Sequence, residues 1–202
     1  MTAKAFSTPA ALREVREQVE REHPELRHDL SALRCTSIAW ALRQAGEDAV
    51  LAITAFEIFF AERQRVQLYD DALPALEFLA ARWPVVAITN GNADVHRMGL
   101  GHFFHDYFNV QRCGVAKPDR RIFDAAVQAL GVPAHTVLHI GDDWRLDAQA
   151  AQDAGLQAVW LNRAGTPWPG EAQSAPAQVQ SLQTLCAWLS AGIMPASMQP
   201  RG

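Results

Sequence analysis

The sequence has no run of lysines and arginines, no apolar stretch long enough to cross a bilayer, and no more than three cysteines in 202 residues. Each absence excludes something. A formal net charge of −4 without a basic cluster leaves no electrostatic footprint for nucleic acid or an anionic membrane. Cys35, Cys113 and Cys186 are odd in number and widely spaced, which excludes a disulfide framework or a zinc knuckle and leaves them as small buried residues. The opening residues MTAKAFSTPAALREVREQ lack a secretory apolar segment, so the protein is expected to be cytoplasmic. What is present describes an ordinary globular chain, 49% apolar and 20% charged, long enough for one sizeable core or a core domain with a small appendage.

Residues 8–66 read as helical throughout, within a helical unit expected to span residues 1–69. Thr8-Pro9 is an N-cap followed by proline at the first helical position, and Leu12, Val15 and Val19 recur on one face until Pro24. A second helix carries Leu26, Leu30, Leu33 and Ile38 and stops at Gly46. A third, from about Asp48 to Val66, bears Val50, Ile53, Phe56, Ile58, Phe59 and Phe60 around much of its girth and should pack on something. No nucleophile or metal-ligand spacing occurs in these helices.

From residue 70 to 190 helix and strand signals alternate. Helices are expected at Leu73–Arg82, Ala93–Met98, Asp119–Leu130, up to Ala154, and at Leu182–Leu189. Strands are expected at Val85–Ile88, Phe108–Val110, Val137–Ile140, Gln157–Leu161 and near Val179. Such alternation predicts an α/β domain with a parallel sheet. Residues 191–202 carry no apolar periodicity and read as a flexible tail.

Three stretches in this second part carry chemistry. VLHIGDDWRLD is a short apolar strand ending at Gly141, after which Asp142, Asp143 and Asp147 arrive at a loop and first helical turn. In open α/β sheets ligands bind beyond the carboxyl ends of the strands. Carboxylates there, read as having no cysteine or histidine beside them, are hard donors that suit Mg²⁺. The competing reading is that Asp143 is an N-cap and Asp147 a favourably placed first-turn acid. In VVAITNGN, Thr89 offers a hydroxyl, and the following amides, with Gly91 permitting close approach, suit a phosphate; ordinary turn chemistry is the alternative. Lys117, just before Pro118 and a helix, sits where an ammonium can neutralise a phosphate or a carboxylate cluster; the alternative is a solvated surface charge.

Together, and in this order, these stretches resemble the haloacid dehalogenase-like hydrolases. The resemblance runs from about Leu12 to Leu189 and implies a doubly wound parallel, Rossmann-like sheet with a helical cap. It implies that Thr89 with Asn90 and Gly91 holds a transferring phosphoryl group, and that Lys117 stabilises nucleophile and phosphate. It also implies that Asp142 binds Mg²⁺, that Asp147 supports metal and lysine, and that Asp143 is a second contributor. The phrases AITNGN, REHPELRHDLSALR and HIGDDWRLD are similar to the bacterial branch active on flavin mononucleotide and the phosphorylated ribitylaminouracil of riboflavin synthesis. The partner implied is a small phosphorylated metabolite.

One element of the resemblance is missing. The family's first motif is a buried strand ending in D-x-D-x-T, whose first Asp attacks phosphorus and whose second is general acid and base. No D-x-D occurs in the sequence, which opens inside the cap pattern. The expectation is therefore a Mg²⁺-dependent phosphatase whose nucleophile and central strand lie upstream of these residues, inactive alone. A short, inactive phosphate-binding or interaction module is the alternative. Dehalogenation is a weaker third reading, because it needs no metal and leaves the acidic turn without a purpose.

Overall fold

A computed structural model describes residues 8–171 and 175–192, except the side chains of residues 27 and 28. The expected tail therefore falls, from residue 193 onward, outside the described residues. The chain forms two units: the described residues up to Val66 together with Gly91–Met98, and Gln67–Asn90 together with Gly99 onward. The division thus falls three residues before Tyr69, and the helical unit gains a segment.

In the helical unit, α1 (Pro9–Glu22) starts where the Thr8 hydroxyl accepts the Ala11 N–H at 3.2 Å. The second helix starts later than the apolar period suggested. Pro24–His28 is a 3₁₀ turn, and α2 (Leu30–Ala45) begins after Asp29, whose carboxylate accepts the N–H groups of Ser31 and Ala32. Gly46 closes α2 in the left-handed region at φ 79°, where a side chain would be strained. Val15 and Val19 of α1 bury against Leu33 and Ala41 of α2. The third helix, α3 (Leu51–Arg63), buries Ala52 alone among its residues, and Ile53 and Ile58 stay 61% and 63% exposed. Its wide apolar girth is therefore mostly uncovered, contrary to the packing expected.

The expected helix at Ala93–Met98 is a series of turns. Asp94 accepts the N–H groups of His96 and Arg97 through its own side chain, which competes with a helical ladder. The same segment joins the helical unit because the Gln64 amide oxygen accepts Asp94 N–H at 2.8 Å and Arg97 lies over the Phe60 ring.

The α/β unit follows the expected alternation: α4 (Ala72–Ala80), β1 (Val86–Thr89), β2 (Asp106–Asn109), α5 (Val110–Cys113), α6 (Arg120–Leu130), β3 (Leu138–Gly141), a π-helical turn (Trp144–Gln149) continuing into α7 (Ala150–Asp153), β4 (Gln157–Leu161), β5 (Ala177–Val179) and α8 (Leu182–Ser190). Every strand pairing is parallel. Strand β4 is a continuous apolar run because both its faces are covered. Ala158 joins the core formed by Ile122, Phe123 and Ala126 of α6 with Ala150 and Ala151 of α7, while Val159 points the other way, into a core with Val179 and Leu185 of α8. Helices on both faces of a parallel sheet are the doubly wound arrangement. Full burial of Ile122 and Phe123 contributes about 1.5–3 kcal/mol each.

The sheet is not continuous. Strands β1 and β2 form one pair, β3, β4 and β5 another ladder in that order, and β1 does not pair with β3. All four residues of β1 and of β3 are half-buried, whereas the three central residues of β4 are buried.

Candidate active site

Thr89 closes β1 at its carboxyl end, opposite Asn109 in register, and Gly141 closes β3. Both motif strands thus deliver their loops to one edge of the unit, as strand polarity requires in a parallel arrangement.

The Asn90 side chain clasps the backbone of Lys117. Its amide oxygen accepts the Lys117 N–H at 2.7 Å, and its amide nitrogen donates to the Lys117 carbonyl at 2.9 Å. This two-bond clasp is why the lysine sits where it does. Its side chain is 12% exposed, so Lys117 is not the solvated charge that a lysine before a proline ordinarily is. Its Nζ donates to Asp147 Oδ1 at 2.5 Å.

Asp147 is the hub. It is 4% exposed, and besides Lys117 its Oδ1 lies 3.1 Å from His139 Nε2, while its Oδ2 accepts the Asp143 N–H at 3.1 Å. Its carboxylate lies flat against Gly141: a Cβ built there would meet Asp147 Cγ at 2.2 Å, so only glycine fits between strand and loop. The glycine of G-D-D therefore makes room for the aspartate six residues later. Burial pushes the Asp147 carboxyl upward, but the His139 hydrogen bond and the Lys117 charge outweigh it and hold the group at about 2.

A depressed folded-state value contributes stability that is present above the unfolded value of 3.8 and lost as pH falls toward about 2. Acid titration followed by circular dichroism should show about 2 kcal/mol disappearing between those limits. Asp147→Asn should lack that component, and an unchanged acid profile in the variant would contradict the assignment.

Asp143 fulfils its capping reading. Its Oδ1 accepts the N–H groups of Arg145 and Leu146, both at 2.8 Å, and starts the π-helical turn that swings Asp147 back onto the strand. Asp142 differs from both neighbours. Its backbone carbonyl accepts the Trp160 indole N–H at 2.9 Å, which pins the loop, while no hydrogen bond or ion pair occupies its carboxylate among the described residues.

The donor chemistry at this turn, carboxylate oxygens of Asp142 and Asp143, is of the kind that Mg²⁺ takes, since Mg²⁺ uses one or two carboxylates and keeps several waters. Among the described residues no three histidine, cysteine or acidic side chains converge as a metal-binding group. Asp147 has both oxygens engaged by protein donors and serves to hold Lys117.

His139 is the functional residue that the sequence reading passed over as strand filler. Its ring packs edge-on to Phe123 at 5.2 Å, 11% exposed, and fixes the Asp147 carboxylate. One signal was available: residues 139 and 141 share a strand face by the period of two, so a polar ring lies beside the glycine that admits Asp147.

The family model of haloacid dehalogenase-like hydrolases matches residues 2–155. The chain is 36% identical over 154 residues to the 5-amino-6-(5-phospho-D-ribitylamino)uracil phosphatase YigB of Escherichia coli, covering 74% of this chain and 65% of that protein. It is 36% identical over 138 residues to a phosphoserine phosphatase of Thermus thermophilus, covering 65% of this chain and 55% of that one. The chain thus spans less than two thirds of the length of these curated relatives. Among solved structures, the 2-haloacid dehalogenase from Pseudomonas syringae pv. Tomato superposes with a TM-score of 0.83 at 35% identity, covering 92% of this chain and 82% of that one.

Proposed function

The chain belongs to the haloacid dehalogenase-like hydrolase family, and on that premise we propose that it is the larger part of a Mg²⁺-dependent phosphatase of small phosphomonoesters. The observation that carries this reading is the unbroken line of contacts from Asn90 through Lys117 to Asp147 and Asp143. It joins the ends of β1 and β3 through one buried ammonium, and the carboxylate of Asp142, next in the chain to Asp143, is left open.

A phosphoryl group brings charge on three oxygens, and stabilising that charge is most of the catalytic problem. In our reading the Thr89 hydroxyl and the amide at Asn90 donate to those oxygens. Lys117, fixed by Asn90 and Asp147, supplies positive charge without having to be ordered during the reaction. Bound Mg²⁺ at Asp142 would neutralise further charge on the phosphoryl oxygens.

The nucleophile is a carboxylate from residues beyond these 202. Its oxygen bonds to phosphorus, the ester P–O bond breaks, and the alcohol leaves after taking a proton from a general acid. Water then attacks phosphorus, the aspartyl P–O bond breaks, and inorganic phosphate is released. The half-buried, unpaired flanks of β1 and β3 support the placement of an additional strand with that carboxylate between them.

The YigB relative makes flavin mononucleotide and the riboflavin-pathway phosphate the substrates to test first. The dehalogenase likeness supports a second reading, in which halide is displaced. The open carboxylate of Asp142 favours phosphate, because halide displacement needs no cation there. Expected of the protein extended upstream by a D-x-D-bearing strand is phosphate release that stops in chelator and falls at least about a hundredfold in Asp142→Asn. Undiminished activity in either case, or halide release from 2-haloacids in place of phosphate release, would refute the proposal.

A further inference from the structure

Three tryptophans meet at the carboxyl edge of the β3–β4 ladder. Trp160 is buried, stands opposite Gly141 in register, and holds the Asp142 carbonyl through its indole N–H at 2.9 Å. The Trp168 ring packs edge-on to Trp160 at 5.7 Å between centroids and edge-on to Trp144 at 5.8 Å. Trp144, two residues after Asp142, stays exposed. Two residues of chain span at most about 7 Å, so an exposed indole and an open carboxylate share one turn.

The loop that carries Trp168 is made to hold that ring in place. Asn162, buried just after β4, accepts the Thr166 N–H at 3.0 Å and donates to the Thr166 carbonyl at 2.7 Å and to Gln178 Oε1 at 3.1 Å. Pro167 and Pro169 restrict the backbone on either side of Trp168. Yet the Trp168 Nε1 is buried with no hydrogen-bond partner among the described residues. A buried indole N–H usually finds an acceptor, and leaving it without one opposes folding. This ring is therefore placed for its contacts with the other two indoles, and it buttresses Trp144. A single exposed apolar side chain is ordinary, but a buttressed one on the turn that carries Asp142 is a preorganised surface.

On the phosphatase reading above, we infer that Trp144 sets substrate specificity: its exposed indole stacks the planar ring of the leaving alcohol, so the favoured substrates are phosphomonoesters that carry an aromatic heterocycle on a short chain. Stacking uses the π-face that every such ring has, so the contact separates ring-bearing from aliphatic alcohols without reading the edge of one particular ring. With the phosphoryl group at the Asp142 end of the turn, the chain between phosphorus and ring covers the distance to residue 144.

The test uses the protein extended upstream, with flavin mononucleotide and glycerol phosphate as substrates and riboflavin as a ligand without phosphate. Trp144→Ala should lower the ratio of kcat/KM for flavin mononucleotide to that for glycerol phosphate about tenfold, mainly through KM, and should weaken riboflavin binding, followed by quenching of flavin fluorescence, by about the same factor. Trp144→Phe keeps a π-face and should retain most of both. An unchanged ratio in Trp144→Ala, equal riboflavin binding in Trp144→Ala and the parent, or a loss in Trp144→Phe as large as in Trp144→Ala would overturn the inference. If neither compound releases phosphate the phosphatase reading fails, and the riboflavin titration alone decides the role of Trp144.

Discussion

Residues 1–202, purified alone and given Mg²⁺ with flavin mononucleotide or an aryl phosphate, are expected to release no phosphate above the uncatalysed rate. The chemistry requires a carboxylate free to attack phosphorus. Of the acids at the carboxyl end of β3, Asp143 is committed to capping and Asp147 to Lys117 and His139, while Asp142, whose carboxylate is open, is the residue proposed above to hold the cation. The remaining acids of the α/β unit lie elsewhere, such as Asp71, whose carboxylate grips Arg163 at 2.7 and 3.0 Å and caps the Leu182 N–H of α8. Edges of β1 and β3 that pair with no strand among the described residues should also make the chain self-associate, because unpaired strand edges template pairing. Light scattering checks this. Supplying an apolar strand that ends in D-x-D-x-T should give a monodisperse, active protein. Robust turnover by the 202 residues without any addition would overturn this account, and the DNA immediately upstream of Met1 is the cheapest place to look for the strand.

Lys117→Met in the extended protein should cost both stability and rate. Methionine keeps the length of the side chain but leaves the Asp147 carboxylate buried with one positive partner removed. Losing one member of a buried pair typically costs about 3–5 kcal/mol. Turnover should fall about a hundred- to a thousandfold, the usual loss when one preorganised charge donor is taken from the reacting oxygens. The two effects are separable. Adding Asp147→Asn to Lys117→Met removes the stranded charge and should restore most of the stability, since an amide still pairs with His139, while activity stays low. Wild-type turnover in Lys117→Met would return this lysine to a purely structural role. A double variant no more stable than the single one would show that the ion pair is not what holds the loop.

Local signals determined a good part of this protein without any coordinates. The Thr8-Pro9 start, the Gly46 stop and the apolar run from Ala158 to Leu161 in β4 each depend on residues a few positions apart, so they are readable from the chain. The order of Thr89, Lys117 and G-D-D-x-x-x-D carried the family for the same reason: it is a pattern along the sequence. Ala93–Met98 misled because helical periodicity there competes with the Asp94 side chain, and the outcome also involved Gln64, thirty positions away. The site itself was only half legible. That Asn90 grips Lys117 and not an external anion, that His139 steers Asp147, and that Gly141 is glycine because a carboxylate lies against it are long-range facts. They arise from parallel strands that place distant residues at one sheet edge, where hydrogen-bond partners are chosen by proximity in space.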